Sequence, residues 1–565
     1  MKRRRNAYVL FSFLRFLSSL TGLFVPWYLK IAVDSIKIDG GSRVFIQALF
    51  LMLLFAFLQG LFRFFGRRGF LVLARDIEGE IREDLFGKVI TAPYPFYDSF
   101  ATGDIMSRAV NDLNSIWLLV GPGFLTLIGT VFTYVVGIFF LLRIDPFLTL
   151  LVFILVPLAA LFGRVYSRRL YRLHRSAQET LSLISDRLNN FITGIRIIKS
   201  YTMEKFVGQE FSRTSEDYCE KNVEVSKVSA LFHGTFAGAT GFGVLFVLAV
   251  GGLFVIEGRI SLGGFVAFTS YIGILSYPAI AVGWIINLYQ RGASAAGRIQ
   301  ELMEVEGEPG GVEEDEEIQT LELAGVRFSY LGGDIPVLDG IDLLVEKGEA
   351  IGITGLTGSG KSTIVKLLLG FYEPDKGEIR INGKPLACFE RGWIRKKIGV
   401  VFQDPHLFSE TVLENISFPL EEPSFERSVE CARLASVDRE IDTFPGQYQA
   451  VIGERGVTLS GGQKQRLTVA RTICHESEVI VLDDSFSSVD GKTEKSILHN
   501  LAKLKGEKTI ILITHRLSSL SVCDRIVVMD RGRVIEEGTE EELVKRRGLF
   551  FRFSVRQSLE GLEGR

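Results

Sequence analysis

The chain has 565 residues, of which 47% are hydrophobic and 23% charged, and its formal net charge is -2. This length excludes a single hydrophobic core, so the chain must be divided into domains. The near-balanced net charge indicates no particular class of partner, and we expect no nucleic-acid partner. The five cysteines lack CxxC or other metal-binding spacing, so we interpret them as free thiols.

The first half of the chain contains six apolar stretches, each near the roughly 20 residues needed to cross a bilayer. They lie at Val9–Val33, Val44–Phe65, Ile116–Leu142, Pro146–Phe162, Ser229–Ile256 and Ile260–Tyr289. Long charged connections follow the second and fourth stretches, and the other connections are short. Basic residues at the N-terminus and beside the spans place the long connections in the cytoplasm. We predict an α-helical six-span domain, residues 1–303, in the lipid bilayer of the inner (plasma) membrane.

Charged residues are scarce in these stretches, and this bears on what the membrane domain carries. The first two spans hold Arg15, Lys30 and Arg63 towards their ends, and the fifth offers only His233. Because ion carriers usually place a charged side chain at membrane depth, the scarcity favours a small apolar or amphipathic cargo. We interpret His233 as a buried, hydrogen-bonded side chain, and most phenylalanines as helix-packing or lipid-facing residues.

A soluble domain follows an acidic linker with glycine and proline at residues 304–318. From residue 319 to residue 565, short strand-like runs alternate with helical ones. Such alternation predicts an α/β domain with a mostly parallel sheet.

The run GITGLTGSGKST, residues 352–363, follows a short apolar strand and opens a helix, as a P-loop requires. Its glycines let backbone N–H groups converge on phosphate oxygens, while Lys361 reaches the β- and γ-phosphates and the Ser362 hydroxyl faces Mg²⁺. The candidate phosphate-binding residues are Gly355, Gly358, Ser359, Gly360, Lys361, Ser362 and Thr363. An α/β P-loop NTPase domain that binds nucleotide and Mg²⁺ is therefore predicted.

Two further strings carry chemistry. A buried strand from Val479 ends in the Asp483 carboxylate, which is similar to the Walker B residue that holds Mg²⁺. The string LSGGQKQR begins at Leu459, and its Ser460 can cap a helix whose following glycines expose N–H groups at the positive end. Taken alone, this string is equally consistent with a flexible turn before a helix.

Together these motifs resemble those of ATP-binding cassette (ABC) transporters, and the resemblance spans almost the whole chain. It implies that ATP is the nucleotide, that Tyr330 stacks on adenine and that Gln403 senses Mg²⁺ and faces the membrane domain. It also implies that His515 contacts the γ-phosphate. The D-loop residue would be Asp490, the loop before the signature would be Gly453–Gly456, and the signature itself would be Ser460, Gly461, Gly462 and Gln463.

Six spans fused ahead of one cassette resemble a half-transporter of the exporter branch. In that family two cassettes close head to tail, with each ATP between the P-loop of one chain and the signature of the other. The resemblance implies a second half-transporter as partner. It also implies that tips near residues 97–104 and 201–207 are coupling helices, and that ATP-driven closure turns the spans from inward-facing to outward-facing.

One residue departs from the family pattern. Active members carry glutamate directly after the Walker B aspartate, where this chain has Asp484. The shorter side chain withdraws the carboxylate by about 1 Å, and a misplacement of that order can cost about a hundredfold in rate. We expect Asp484 to take the catalytic position with Gln403 and His515, but to support slow hydrolysis or none.

The resemblance of DDSFSSVD and the intact signature to degenerate halves of paired exporters favours a heterodimer of the multidrug or lipid type. A homodimer with two working sites stays open, because catalytic geometry can tighten on closure. An ATP-gated channel or regulator is a third hypothesis, and the scarcity of ionisable residues in the spans argues against it.

Overall fold

The computed structural model of the protein describes residues 5–36, 41–312, 316–330, 332–333, 335–453, 456 and 459–563. The side chain of His233 and the Glu454–Arg455 part of the loop before the signature lie outside this description. The chain forms two compact units, residues 1–87 with 103–304 and residues 88–102 with 305–565.

Up to residue 303 the described chain is almost entirely helical. Its helices are α1 Arg5–Ser35, α2 Ser42–Ile90, α3 Tyr94–Ser99, α4 Thr102–Ile144, α5 Pro146–Thr193, α6 Ile195–Ser200, α7 Glu204–Ile256 and α8 Leu262–Met303. Six of them are long, which fits the six predicted spans. Helix α4 contains two π-helical segments, and the second surrounds Pro122, whose ring and missing N–H disturb regular helical bonding.

The first unit is a helical membrane domain. Among the described residues, α1, α2 and α4 are long and apolar enough to cross a bilayer, and α7 and α8 contain shorter apolar segments. The core of the unit centres on Phe268 and Tyr271 of α8, which are fully buried. The Tyr271 hydroxyl donates to the Leu23 carbonyl at 2.7 Å, and its ring stacks on Phe140. A buried phenol with its hydrogen bond satisfied fixes α1, α4 and α8 against one another.

Short polar links join the helices at the predicted external side. Asp145 caps α5 by accepting from Leu148 N at 2.7 Å, and its carboxylate also accepts from Arg259 at 2.9 Å. Ser261 caps α8 and donates to Asp34 at the end of α1. These contacts satisfy helix termini that would otherwise expose backbone groups near lipid.

The second unit is an α/β domain with two sheets. Its strands are β1 Thr320–Phe328, β2 Leu338–Glu346, β3 Ala350–Gly355, β4 Lys376–Ile381, β5 Lys384–Pro385, β6 Ile398–Val401, β7 Val479–Asp483, β8 Thr509–Ile513, β9 Arg525–Asp530 and β10 Arg533–Gly538. The principal helices are α9 Lys361–Leu368, α10 Arg391–Lys397, α11 Val412–Ile416, α12 Phe425–Leu434, α13 Asp438–Ile441, α14 Gly461–Cys474, α15 Gly491–Ala502, α16 Glu540–Arg546 and α17 Leu549–Glu563.

The six-stranded sheet positions the candidate site. Its order is β10-β9-β3-β8-β7-β6, and all neighbouring pairs are parallel except the β9–β10 hairpin. Strands β3, β8 and β7 are adjacent and almost wholly buried, because helices cover both faces of a parallel sheet. Ligands of such sheets bind beyond the carboxyl ends of the strands, where the segments after β3, β8 and β7 meet.

Candidate nucleotide-binding site

The segment between β3 and α9 has the backbone of a phosphate-binding loop. Gly355, Gly358 and Gly360 adopt φ values of 150°, 79° and 97°, which side-chain-bearing residues rarely adopt. A Cβ on Gly355 would lie 2.1 Å from the Met529 carbonyl, so this turn requires glycine. Helix α9 begins at Lys361, so the N–H groups of its first turn point into the loop.

The Lys361 ammonium lies within this loop. It donates to the carbonyls of Gly355 at 3.1 Å and Leu356 at 2.8 Å, and to the Ser359 hydroxyl at 3.4 Å. Burial lowers the pKa of Lys361, while the charges of Asp483 and Asp484 oppose that shift. Neutral carbonyls compensate a buried ammonium poorly, so phosphate oxygens are better partners for this cation.

A buried carboxylate stands opposite the start of α9. Asp483, at the end of β7, is 4% exposed and hydrogen-bonds the Ser362 hydroxyl. Burial raises the pKa of Asp483, and the hydrogen bond with Ser362 opposes the rise. One carboxylate beside one hydroxyl fits Mg²⁺, which binds through one or two protein oxygens together with phosphates and water. Asp483 and Ser362 are therefore the residues that would hold the ion.

Asp484 follows in the left-handed conformation, at φ 45°. Its backbone N–H donates to the Ile513 carbonyl at 2.8 Å, which ties the residue to the end of β8. Aspartate tolerates this backbone region better than longer side chains do. The half-buried carboxylate is close enough to Lys361 and His515 for its charge to act on both.

His515 follows β8 and reaches the P-loop, where its side chain hydrogen-bonds the Gly355 backbone. Burial, and then the Lys361 charge, lower the pKa of His515, so the imidazole is held neutral near pH 7. Helix α17 fixes this segment, because Gln557 donates to the His515 carbonyl at 2.5 Å and accepts from Leu517 N at 3.0 Å.

The signature segment has a defined helical start. Ser460 caps α14 by accepting from Gln463 N at 3.3 Å, and the Gln463 side chain accepts from Ser460 N at 2.9 Å. This is a capping box, so the segment is not merely a flexible turn. A Cβ on Gly462 would lie 2.8 Å from the Ser488 carbonyl, which shows how closely the helix approaches the D-loop.

The D-loop, Ser487–Asp490, is fixed by hydrogen bonds from two side chains that the sequence analysis did not identify. Gln465 of α14 donates to the Ser487 hydroxyl at 2.7 Å and accepts from Ser488 N at 2.9 Å. Arg516, next to the predicted switch histidine, donates to the carbonyls of Ser487 and Val489, both at 2.9 Å, and to Glu494 at 2.6 Å. An arginine directly after the histidine was the available sequence signal. Asp490 caps α15 by accepting from two backbone N–H groups.

The structure thus brings one set of predicted residues together and leaves the other apart. Gly355–Thr363, Asp483, Asp484 and His515 surround one end of the sheet. Among the described residues, no hydrogen bond or ion pair joins Ser460–Gln463 to the P-loop. Gln403 is exposed just after β6.

Tyr330 belongs to an aromatic cluster beside the P-loop helix. Its hydroxyl lies 3.2 Å from the Thr363 hydroxyl, and its ring meets Tyr372 edge-on with centroids 5.3 Å apart. The same unit includes α3, whose Tyr94 stacks on Phe371 at 4.4 Å. The Tyr372 hydroxyl donates to Asp98 of α3. The tip of the first long connection therefore packs on the α/β domain through Tyr94 and Asp98.

A P-loop ATPase domain with this signature, joined to a helical membrane domain, defines an ATPase coupled to transmembrane transport. The family model "ABC transporter transmembrane region" matches residues 8–279, and the model "ABC transporter" matches residues 338–487. The chain belongs to the ABC transporter family, as a half-transporter with one membrane domain and one cassette. It is a multi-pass protein of the inner membrane.

Two relatives and one solved structure give the scale of the similarity. The chain is 32% identical to the probable multidrug resistance ABC transporter ATP-binding/permease protein YheI of Bacillus subtilis (strain 168), over 95% of this chain and 93% of that protein. It is 33% identical to the multidrug resistance-like ATP-binding protein MdlA of Escherichia coli (strain K12), over 88% of this chain and 85% of that protein. A bacterial Atm1-family ABC exporter with ATP bound shares the fold, with a TM-score of 0.81, 24% identity and 99% of each chain covered.

Proposed function

We propose that the protein exports apolar or amphipathic compounds across the inner membrane by alternating access, as one half of a dimer. The observation that carries this proposal is the division of the motifs, since the P-loop set and the signature do not meet within one chain. A second chain would supply its signature to this P-loop and receive this signature in return. The names of the multidrug relatives support the class of cargo.

Movement would reach the membrane helices through α3. Tyr94 and Asp98 lie in the connection between α2 and α4, and both contact the cassette beside the P-loop helix. Closure of two cassettes on ATP would draw this tip with it, and hydrolysis would reset it. Reconstitution into vesicles tests the export. ATP-dependent accumulation of a dye cargo supports it, and ATP hydrolysis without accumulation contradicts it.

We also infer that the partner is a sister chain and that the site built on Lys361 hydrolyses slowly. Asp484 keeps a carboxylate near Lys361 and His515, but one methylene short of glutamate. The same features allow the alternative, a homodimer in which closure brings Asp484 into reach. ATPase activity of the full-length chain purified alone decides between them. Rapid ATP turnover by this chain without another chain refutes the heterodimer.

A further inference from the structure

The membrane unit contains a half-open cavity of about 840 Å³ between α1, α2, α4 and α8. This volume is in the range of sites that bind drug-sized ligands. Three of its lining residues are arginines, namely Arg15, Arg63 and Arg67. No aspartate or glutamate is among the described residues that line it. The sequence shows only that Arg15 and Arg63 lie near the ends of two spans. The structure shows that both line the same cavity.

The arginines gather at one end of the cavity. Helix α2 supplies Gln59, Arg63 and Arg67 at four-residue spacing, so they share one face. Helix α1 runs antiparallel to α2, so the start of α1 lies beside the end of α2. Arg15 is the first lining residue of α1, and Arg67 is close to the last lining residue of α2. All three lie towards the predicted cytoplasmic side.

The other end of the cavity is largely apolar. On α1 the lining continues for about 21 Å from Arg15 to Leu29, at 1.5 Å per residue, through Leu23, Val25 and Pro26. Ala56 of α2 and Ile274 of α8 lie towards the same end. The cavity is thus amphipathic along its length, with positive charge at one end and, at the other, a mostly aliphatic surface that includes the hydroxyls of Thr133 and Ser270.

Arg63 and Arg67 supply positive charge that the described residues leave without a carboxylate partner. Across the part of the chain that the structure describes, neither Arg63 nor Arg67 forms an ion pair. The nearby hydroxyls do not compensate, since Ser18 and Thr126 donate to backbone carbonyls. Cationic side chains beside a membrane cavity are costly unless an anion or water meets them.

We propose that this cavity binds an amphiphile with an anionic headgroup, its charge held by Arg63 and Arg67 and its tail along the apolar part of α1. This inference rests on the proposed export function and names the class of cargo. Guanidinium groups suit carboxylate and phosphate equally, so a fatty acid and an anionic phospholipid are the two sources of such a headgroup.

Trp284 lines the cavity and supplies a binding signal that does not depend on ATP hydrolysis. The full-length protein is placed in nanodiscs of zwitterionic lipid and titrated with a long-chain carboxylic acid brominated in the third of its chain nearest the carboxylate. Saturable quenching is expected in the wild type and is expected to be lost in Trp284→Phe. A quaternary ammonium with the same brominated chain is expected to bind at least about tenfold more weakly, as measured by the same quenching, because its charge is opposite.

The double variant Arg63→Gln, Arg67→Gln is expected to weaken binding of the carboxylic acid about tenfold or more. Arg63→Lys, Arg67→Lys keeps the charge and is expected to retain most of the affinity. Arg68→Gln is the matched control, since Arg68 is as exposed as Arg63 and Arg67 and lies on the same helix turn as Arg67, but does not line the cavity. A brominated anionic phospholipid, used in a parallel arm, assigns the source if it alone quenches in an arginine-dependent way.

Equal binding of the cationic probe, or equal losses in the Arg68 and Arg63/Arg67 variants, overturns the proposal. If neutral or cationic dyes are exported while both anionic probes fail to bind, the export function stands and only the anionic class is wrong. If the carboxylic acid binds but no cargo moves with ATP, the export function fails while the cavity assignment stands.

Discussion

Asp484→Glu restores the side-chain length that active family members have, and its effect can be worked from the position of the residue. The added methylene advances the carboxylate by about 1 Å towards the space beside Lys361 and His515. Correct placement is worth about a hundredfold in rate, which corresponds to about 2.7 kcal/mol of activation free energy. We expect kcat of this site to rise by that order.

The same substitution has a cost in folding. Asp484 lies at φ 45°, where residues other than glycine, asparagine and aspartate are disfavoured by about 1–2 kcal/mol. This strain is present in the ground state and the transition state alike, so it lowers stability without lowering kcat. We therefore expect a slightly less stable and much faster protein.

The assay is ATP turnover of the full-length chain in nanodiscs, purified without a sister chain. Asp484→Asn is the matched control, because it keeps the length and removes the charge, and it is expected to give no gain. His515→Ala in the Asp484→Glu background is expected to abolish the gain. If Asp484→Glu binds ATP as the wild type does and turns over no faster, the argument from side-chain length is wrong.

Three further predictions concern contacts of the cassette. Gly360→Ala is expected to weaken equilibrium binding of a fluorescent ATP analogue by at least about tenfold. The residue has φ 97°, and a Cβ there would lie 2.6 Å from the Leu338 side chain. Gly491→Ala is the control, because a Cβ at Gly491 meets open space and is expected to leave binding unchanged. Tyr94→Ala removes the stacking contact of α3 and is expected to abolish cargo stimulation while basal ATPase persists; equal loss in the exposed Ile90→Ala refutes that role. Arg516→Ala leaves a buried glutamate without its cation and is expected to destabilise the cassette by roughly 2–3 kcal/mol, seen as a lower midpoint in chemical denaturation; an unchanged midpoint contradicts it.

Much of the cassette follows from local sequence, and the fold class is confirmed. The sequence predicts a short apolar strand ahead of the P-loop, and β3 is found there at Ala350–Gly355, because short apolar runs between glycines are typical of buried parallel strands. The P-loop glycines require positive φ, so their spacing already specifies the turn. The roles assigned to Gln403, Tyr330 and His515 stay predictions.

The lining of the membrane cavity could be predicted from the sequence only in part. The four-residue spacing of Gln59, Arg63 and Arg67 is visible in the letters, and it predicts a shared helix face. That this face meets Arg15 of α1 and the threonines of α4 depends on which helices are neighbours. Hydropathy alone does not settle helix neighbours, since apolar helices pack with one another and with lipid almost equally well.

The aromatic cluster connects Tyr330, the residue predicted to stack on adenine, with Tyr94 of α3 through the ring of Tyr372. The Lys366 ammonium of α9 lies 5.2 Å from the ring of Tyr330 and 5.9 Å from the rings of Tyr94 and Tyr372. If adenine stacks on Tyr330, it changes the surroundings of a cation that Tyr94 of α3 also shares. Coupling free energies are reciprocal, so whatever α3 docking adds to ATP affinity, ATP must add to α3 docking. Adenine binding at Tyr330 would thus act on α3 through Lys366 and the three tyrosines around it.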